Sequence, residues 1–347
     1  MISQDSPECR ERDIRSLQTF GIKELQVEIT TRCNFRCSKC SRRKGGNDMH
    51  GGLAEAVLAR LPAFSSMTLS GRGEALLAGR ALAFVQEAKK NRLFVRVLTN
   101  ASLMDEGLAA ALIDAGLDEV GVSMDAAGRS PYRELCGADE FDRSVANVRA
   151  MVDARRRRGA AKPKVGLGIV MSRRNAGEWP AVVRLAGEIG ADRVALWNLV
   201  PNRPEDLEDV LYSFPGRDLP EDLRRVRDDR LREAHDAGKK LGIPVHATGF
   251  DFPEARVENC GHLRGTLFVS AEGDVGVCPS HMASPGAKRL GRGGLVEAPP
   301  PCVFGNLHRE TFADILNSGA YGAHRSSVGE GRVPGFCCGC ISAHGLC

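Results

Sequence analysis

The chain has 347 residues, of which 42% are hydrophobic and 5% aromatic, so it can bury one large core or two modest ones. Its formal net charge of +4 is small for this length and gives no case for a nucleic-acid partner. The charged residues 1–13 lack the apolar core of a secretory signal, and no apolar run is long enough to cross a bilayer. We therefore expect a cytoplasmic globular enzyme with no membrane partner.

Short β-rich runs alternate with longer helical ones along most of the chain, which is typical of parallel strands joined by crossover helices. Strands are predicted at residues 25–29, 67–70, 94–99, 119–124, 164–170 and 193–199. Helices are predicted at residues 53–61, 76–91, 105–115, 141–157 and 179–189, and a further helix and strand at 221–241 and 244–247. Six βα units are too few for a closed eight-stranded barrel. The fold class expected is therefore α/β, with an open, partial (β/α)6 barrel that carries its chemistry at the carboxyl ends of the strands.

The composition changes after residue 250, where Gly, Pro and Cys dominate and seven of the twelve cysteines fall. We expect an N-terminal extension of residues 1–24, a barrel of residues 25–248 and a small metal-organised domain of residues 249–347. Residues 200–220, rich in Pro, Asp and Glu, are expected to form an irregular excursion or lid.

Three cysteines lie within eight residues directly after the first predicted strand, at Cys33, Cys37 and Cys40. Cellular thiol systems keep cytoplasmic cysteines reduced, which favours metal ligation over disulfide bonds. Four protein ligands close a structural metal site, whereas a catalytic site keeps one coordination position open. These three thiolates can hold one face of an iron–sulfur cube and leave its fourth iron free.

The Cys-x3-Cys-x2-Cys spacing, on the loop after a first strand, resembles the radical S-adenosylmethionine (radical SAM) superfamily. The resemblance implies a 4Fe–4S cluster whose open iron binds S-adenosylmethionine (SAM), and cleavage of SAM by one electron to a 5′-deoxyadenosyl radical. One position departs from the commonest form of the motif, since Lys39 stands where an aromatic residue often precedes the third cysteine. A zinc knuckle or a loop of reduced thiols is the alternative, although no His or Cys at zinc-ligand spacing follows closely.

The turn after the second strand, Ser70-Gly-Arg-Gly-Glu74, resembles the Gly-Gly-Glu-Pro segment of the same family, with Arg72 inserted between the glycines. The resemblance implies that Gly71 and Gly73 let the backbone approach SAM and that Glu74 accepts from its ammonium group. It also implies SAM-binding residues at or after the ends of the third and fourth strands. These are Asn100, Ser123, Asp125 and Arg133. A role as a turn or cap residue stays open for each.

Four cysteines of the C-terminal region resemble, in their order along the chain, the SPASM module of radical SAM enzymes in its form with one auxiliary 4Fe–4S cluster. The ligands implied are Cys260, Cys278, Cys337 and Cys340. Four thiolates close a cluster, which suits it to electron transfer rather than to SAM binding. Zinc is the alternative occupant. Cys338 competes with its neighbour as a ligand, and Cys302 and Cys347 are left without a role.

The function implied by this resemblance is that of a radical SAM enzyme of oxidoreductase type. A closed auxiliary cluster offers the substrate radical an acceptor for its electron, which favours dehydrogenation or cross-linking of a small natural product or a peptide. Few residues precede the first strand, so no leader-peptide-binding domain is expected there, and this favours the small molecule.

Two alternatives to this function stay open. An epimerase would use Cys136, expected in the loop after the fourth strand, as hydrogen-atom donor, although a small buried apolar role is the plainer interpretation of this residue. From another class, the chain could be a non-catalytic iron–sulfur electron carrier or a zinc-binding interaction module.

Six basic residues surround the first three cysteines in the sequence. They are Arg32, Arg36, Lys39, Arg42, Arg43 and Lys44. Positive charge would raise the reduction potential of an anionic cluster and could receive an acidic reductant such as flavodoxin or ferredoxin. An ordinary solvated loop is the alternative.

Overall fold

The computed structural model describes residues 6–40, 45–281, 288–291, 294–297, 302–338 and 340–346. Four residues considered above lie outside these ranges, namely Arg42, Arg43, Lys44 and Cys347. Within the ranges, no cysteine forms a disulfide bond. No helix among the described residues has both the length and the apolar composition that a bilayer crossing requires.

In this part of the chain, ten strands form one sheet and two more form a separate hairpin. The strands are β1 (Glu24–Val27), β2 (Ser66–Leu69), β3 (Phe94–Thr99), β4 (Glu119–Ser123), β5 (Lys164–Met171), β6 (Arg193–Asn198), β7 (Val245–Ala247), β8 (Thr266–Val269), β9 (Asp274–Gly276), β10 (Lys288–Gly291), β11 (Gly294–Glu297) and β12 (Val303–Asn306). The order in the large sheet is β12-β9-β8-β1-β2-β3-β4-β5-β6-β7. Neighbours from β8 through β7 are parallel, whereas β9 and β12 join antiparallel, as do β10 and β11. The predicted partial barrel is confirmed, and its six strands end within two residues of their predicted bounds.

The helices are α1 (Pro7–Thr19), α2 (Gly51–Leu58), α3 (Ala81–Lys90), α4 (Glu106–Asp114), α5 (Arg129–Cys136), α6 (Phe141–Arg157), α7 (Trp179–Ile189), α8 (Glu221–Leu241), α9 (His262–Gly265), α10 (Phe312–Leu316) and α11 (Gly319–Gly329). Helices α6, α7 and α8 match their predicted bounds. The single helix predicted at 76–91 is wrong, because a 3₁₀ turn at Ala75–Leu77 and a break separate its start from α3. The helix predicted at 53–61 ends early, and a 3₁₀ turn follows at Leu61–Ala63.

Alternate residues of the barrel strands face opposite sides of the sheet. Along β3, Val95 and Val97 are buried in the core beneath the helices. The intervening residues, Arg96 and Leu98, point to the other, concave side of the barrel and are partly exposed. The register places Arg96 beside Glu119 of β4, which therefore also faces the concave side. This alternation separates an apolar layer under the helices from an inner surface that is accessible to a ligand.

The C-terminal region is joined to the barrel through the sheet itself. Strand β8 pairs with β1 in parallel, with Leu25 beside Leu267 and Val27 beside Val269. All four of these side chains are buried in one continuous core. The cysteine-rich region thus continues the sheet past β1, and the division of the chain at residue 248 stays a prediction.

Helix α1 fastens the N-terminal segment to both parts of the molecule. Its Asp13 is buried, and Oδ2 accepts a hydrogen bond from Arg60 Nε at 3.0 Å. Oδ1 accepts from the backbone N–H of Ala313, in the first turn of α10, at 2.8 Å. One carboxylate therefore links the N-terminal helix, the barrel and the C-terminal region.

We expect the Asp13→Ala variant to lose about 3–5 kcal/mol of unfolding free energy, because it leaves the Arg60 guanidinium buried without its carboxylate. The control is Glu11→Ala, which removes an exposed carboxylate of the same helix paired with Arg15 and should change stability by no more than about 0.5 kcal/mol. Urea unfolding followed by circular dichroism measures both. Equal midpoints for the two variants would contradict this role of Asp13.

Candidate active site and iron–sulfur centres

The first three cysteines lie in the loop between β1 and α2, at the carboxyl end of β1. Cys33 and Cys37 are half-buried, and Cys40 is exposed. Nowhere in the described ranges do three ligand-type side chains converge as they would around a single metal ion. Three thiols on one loop are a donor set that can hold one face of an iron–sulfur cube.

The cysteine loop rests on the carboxyl end of α5. The backbone N–H groups of Arg36 and Ser38 donate to the carbonyl oxygens of Cys136 and Leu135, at 3.1 and 2.8 Å. The last carbonyls of a helix lack partners within the helix, and the loop supplies them. Gly137 permits the close approach, since its φ is +62° and a Cβ there would lie 2.5 Å from the carbonyl oxygen of Arg36. The loop is therefore positioned by backbone hydrogen bonds as well as by side chains.

The predicted loop after the fourth strand is wrong for residues 129–136, because they form α5. Cys136 is the last residue of this helix and only 4% exposed, and its thiol hydrogen-bonds to Cys37. This hydrogen bond lowers the pKa of Cys37 and raises the pKa of Cys136. Arg133 is exposed on the same helix. Cys136 thus contacts a predicted cluster ligand rather than standing at an open barrel mouth.

Lys39, one of the six basic residues near the cysteines in the sequence, is buried and so belongs neither to a docking surface nor to a solvated loop. Its side chain is 6% exposed, and Nζ donates to the carbonyl oxygen of Val170, at the end of β5, at 2.6 Å. The same ammonium lies 3.4 Å from Oδ1 of Asp125, which also accepts from the N–H of Val170 at 2.8 Å. The lysine between two of the cysteines therefore ties the loop to the ends of β4 and β5.

The predicted SAM-binding residue Asn100 also holds this loop. Its Nδ2 donates to Oδ1 of Asn34 at 2.9 Å, and Nδ2 of Asn34 donates to Oγ of Ser102 at 2.8 Å. Ser102 returns hydrogen bonds from its N–H and Oγ to Oδ1 of Asn100. The end of β3 and the cysteine loop are thus joined by a closed ring of side chains.

Segment 200–220 is irregular, as expected, apart from a 3₁₀ turn at Pro204–Glu208. Arg203 reaches from it to the cysteine loop and donates to the carbonyl oxygen of Ser38. Its guanidinium is held by Asp206, whose side chain is buried. The excursion therefore packs against the loop that carries the three cysteines.

The glycine-rich turn lies against the end of β1. A Cβ on Gly73 would stand 2.2 Å from the carbonyl oxygen of Thr30, and one on Gly71 would meet Glu28 at 2.5 Å. Glu74 donates its N–H to the carbonyl oxygen of Arg32 at 2.8 Å. These contacts require glycine at both positions and bring the turn directly beside the cysteine loop.

The Glu74 carboxylate is buried and bonded within the protein. It accepts from Thr99 Oγ1 at 2.7 Å, from Asn100 N–H at 2.7 Å and from Leu76 N–H at 3.0 Å. Burial raises its pKa above the ordinary range, although all three hydrogen bonds oppose that shift. Glu74 therefore orders the end of β3. Its predicted contact with SAM stays a prediction, as do those of Gly71, Gly73, Asn100, Asp125, Arg133 and Ser123, which is exposed at the end of β4.

Arg72, inserted between the two glycines, connects the turn to the C-terminal region. Its Nε and Nη2 form a fork on the buried Glu28 carboxylate, at 3.1 and 2.8 Å. Nη2 also lies 3.4 Å from Glu272, in the turn after β8. Sequence reasoning missed this network, although Glu28 stands out as an acidic residue in the apolar stretch 25–29.

The four predicted SPASM cysteines line one cavity of about 90 Å³. They are Cys260, Cys278, Cys337 and Cys340. Burial, and then the neighbouring thiols, raise the pKa of Cys337, so the thiolate form needs a positive partner. Four thiols around one cavity are a donor set that fits a closed iron–sulfur cluster.

The structure distinguishes the two adjacent cysteines. Cys337 is buried and lines the cavity, whereas Cys338 is exposed and its thiol donates to the carbonyl oxygens of Val333 and Pro334. Cys302 is half-buried and close enough to Cys337 to affect its pKa. This geometry favours Cys337 over Cys338 as the ligand, and the ligand set itself stays a prediction.

Two residues that sequence reasoning missed share this cavity. Gln26 of β1 belongs to its lining and, by the strand register, to the row of Arg96 on the concave side of the barrel. His262 also lines it, and its buried Nδ1 has no hydrogen-bond partner among the described residues. A cluster sulfur in the cavity would offer that nitrogen an acceptor.

Family models match both parts of the chain. The Radical SAM superfamily model covers residues 27–186, and the SPASM model, described as an iron–sulfur cluster-binding domain, covers residues 260–341. The fold and the two sets of thiols thus define an iron–sulfur enzyme with an open and a closed centre. The chain belongs to the radical SAM superfamily and carries a SPASM domain. Its cofactors are accordingly a 4Fe–4S cluster, SAM and an auxiliary cluster.

Individual relatives agree with this membership. The tungsten-containing aldehyde ferredoxin oxidoreductase cofactor-modifying protein of Pyrococcus furiosus is 25% identical over 306 residues, 86% of this chain and 82% of that protein. A probable GTP 3′,8-cyclase of Metallosphaera sedula is 27% identical over 223 residues, 62% of this chain and 67% of that protein. SuiB of Streptococcus suis, solved bound to SAM, matches the fold with a TM-score of 0.63 at 14% identity, over 92% of this chain and 72% of that chain.

The first centre should hold about four irons after anaerobic reconstitution, and we expect the Lys39→Met variant to lose most of them. The substitution leaves the Asp125 carboxylate buried without its cation, which destabilises the loop that carries the cysteines. Arg36→Met, an exposed change in the same loop, is the control and should keep its iron. The double variant Lys39→Met with Asp125→Asn should recover much of the loss, since no unpaired charge remains. The measurement is the iron content per chain. Equal iron contents in the Lys39→Met and Arg36→Met variants would contradict the role of Lys39 in holding the cysteine loop.

The cavity predicts opposite outcomes for two neighbouring cysteines. Cys337→Ala should reduce the iron content from about eight to about four per chain, because one ligand of the auxiliary cluster is lost. Cys338→Ala should retain about eight. Iron analysis with absorption near 400 nm measures both, and the reverse ranking would show that the ligand is Cys338.

Proposed function

We propose that this radical SAM enzyme carries out a net two-electron oxidation of a substrate held on the concave side of the barrel. When bound, the cluster of the first centre supplies the electron that cleaves SAM to a 5′-deoxyadenosyl radical, and the auxiliary cluster offers an acceptor for a second electron. The observation that carries the proposal is the position of Gln26, which lines the four-thiol cavity and faces the concave side. The auxiliary centre therefore borders the space in which a substrate radical would form.

The overall change in the substrate balances as the loss of two hydrogen atoms. One would leave with its electron to the 5′-deoxyadenosyl radical, breaking a substrate C–H bond and forming a C–H bond in 5′-deoxyadenosine. The remaining radical would give one electron to the auxiliary cluster and one proton to solvent, and a new double bond or cross-link would form. A closed four-thiolate centre suits the electron step because it has no open site that would bind the radical.

The protein residues around the first centre are proposed to bind and position SAM. Gly71 and Gly73 keep the turn against β1, and Glu74 holds Asn100 beside the cysteine loop. Glu74 accepts three hydrogen bonds on two oxygens that offer about four acceptor positions, so one position is left for the ammonium group of SAM. Asp125 is better explained as the partner of Lys39 than as a direct ligand of SAM.

The substrate class is proposed from the relatives and from the site together. The Pyrococcus furiosus relative is named for modifying a cofactor, and SuiB has been solved bound to the precursor peptide SuiA. Either a small molecule or a peptide is consistent with a concave face of this kind. For the reductant we propose a flavodoxin or ferredoxin, received where Arg36 and Cys40 are exposed on the cysteine loop.

Reconstituted enzyme, SAM and dithionite should yield 5′-deoxyadenosine. With small-molecule and peptide extracts of the source cells, a species lighter by two hydrogen atoms should accumulate. Cys37→Ala should abolish both products because the SAM-binding cluster loses a ligand. Cys278→Ala should still form 5′-deoxyadenosine but no oxidised species, and Cys338→Ala serves as the matched control. Chromatography with mass spectrometry measures all of these.

The same experiment in D₂O distinguishes oxidation from epimerisation. An epimerase would return a product with the same number of hydrogen atoms as the substrate, one of them replaced by deuterium from the exchangeable donor thiol. Such a product would contradict the proposed oxidation. The burial of Cys136 against Cys37 gives that alternative no support. Absence of 5′-deoxyadenosine in the wild-type reaction would contradict SAM cleavage itself.

A further inference from the structure

The middle of the concave face lacks side chains on two adjacent strands. Gly121 of β4 and Gly166 of β5 are paired neighbours, and Gly168 follows at the next inward position of β5. Leu98 of β3 lies over Gly121, where a Cβ would meet its Cδ2 at 2.5 Å, and Leu98 and Trp197 of β6 are 40% and 46% exposed. Large apolar side chains left open inside a concave face are typical of a ligand site.

Two side chains of β6 extend over these glycines. A Cβ on Gly166 would lie 3.2 Å from Nε of Arg193, and a Cβ on Gly168 would lie 3.9 Å from Nε1 of Trp197. Gly166 and Gly168 are two residues apart on one strand, which separates their positions by about 7 Å. A guanidinium and an indole are therefore presented over neighbouring inward positions of the same strand.

The charge at this place is not balanced. Arg96 forms a two-nitrogen contact with Glu119, from Nε to Oε1 at 2.9 Å and from Nη2 to Oε2 at 3.2 Å. Arg193 contacts the same carboxylate through one Nη2. The two arginine side chains are 37% and 35% exposed, whereas that of Glu119 is 7% exposed. Nearby Lys164 and Arg155 share the carboxylate of Asp192. Each of the two carboxylates thus contacts two cations, and positive charge is in excess.

The contacts also show which arginine is available. Arg96 contacts both oxygens of Glu119, whereas Arg193 contacts one oxygen through Nη2 and has its Nε beside Gly166. A guanidinium with free donors recognises carboxylate or phosphate through paired hydrogen bonds. Arg96 and Glu119 hold Arg193 in position for such a contact.

We propose that Arg193 binds an anionic group of the substrate, a carboxylate or a phosphate, while Trp197 and Leu98 offer apolar contacts to a flat part of the substrate next to that group. This rests on the proposed function, since it takes the concave face as the place of the substrate. It narrows the substrate class to anionic molecules with a planar or apolar portion next to the anion. Arg193 is then a substrate-binding residue and Arg96 a positioning residue.

The test uses three small probes of the same shape, with the reconstituted holoenzyme. Benzoate and phenylphosphate carry the anion and the ring, and benzamide is the neutral counterpart. Dissociation constants are measured by ligand-observed NMR titration under anaerobic conditions. We expect at least one anion to bind about tenfold more tightly than benzamide, because it can form a pair of charge-assisted hydrogen bonds with the Arg193 guanidinium. The preferred anion distinguishes a carboxylate from a phosphate substrate.

Variants locate the effect. Arg193→Gln should remove the advantage of the anions over benzamide, whereas Arg158→Gln, which removes an arginine paired with Asp114 on the outer helices, should bind all probes as the wild type does. Trp197→Leu keeps the charge, and it should weaken all three probes several-fold because the ring contact is lost. Iron content and thermal midpoint show whether each variant is folded.

The inference is overturned if both anions bind no better than benzamide. It is also overturned if folded Arg193→Gln and Trp197→Leu proteins both bind the probes like the wild type. Because the titration contains no SAM and no reductant, its outcome is separate from that of the proposed oxidation. If oxidised product forms but the anions do not bind preferentially, only the anion-binding inference is overturned. If the anions bind preferentially but no oxidised product forms, only the proposed oxidation is overturned.

Discussion

Strand β1 is the element on which both centres depend. Its carboxyl end leads into the cysteine loop, its inward residue Gln26 lines the auxiliary cavity, and its other edge pairs with β8. A slip of one residue in the β1–β8 register would turn Leu25 and Val27 out of the core, so the pairing is strongly specified. The β1–β8 ladder therefore joins the strand that leads into the first set of cysteines to the region that carries the second set.

Buried polar groups do most of the positioning around the first centre. Lys39 and Asp125 connect the loop to the strand ends, and Glu74 connects the glycine-rich turn to β3. Such groups contribute little net stability, because the loss of hydration offsets their attraction. We infer that they are retained here because each has one satisfactory geometry. The loop then approaches its cofactor with little left to reorganise.

Local patterns in the sequence predicted the barrel well. Helix α7 has a long apolar face, and both α7 and α8 end at glycines, Gly190 and Gly242, which adopt the left-handed conformation at the position after the helix. Helix α5 was not predicted from the sequence, because it is short and largely polar, although Gly128 and Gly137 flank it. Short elements carry too few residues for a periodic signal to be distinguished from a loop.

Long-range contacts set the limit of sequence reasoning at the site. The cysteine spacings suggested both ligand sets, yet the burial of Lys39 depends on a carboxylate at Asp125, far along the chain. The choice between Cys337 and Cys338 likewise depends on which thiol turns toward Cys260 and Cys278. Neither the pairing of β8 with β1 nor the shared cavity has a local signature, because both arise from the closure of the sheet.

Electron paramagnetic resonance of the dithionite-reduced protein, recorded with and without SAM, tests the central claim most directly. We expect signals from two reduced clusters. One of these signals should change when SAM is added, since three thiolates leave one iron of that cluster open. The second signal should be unaffected, because four thiolates close its cluster. Spectra in which no signal responds to SAM would contradict the assignment of Cys33, Cys37 and Cys40 as an open catalytic centre.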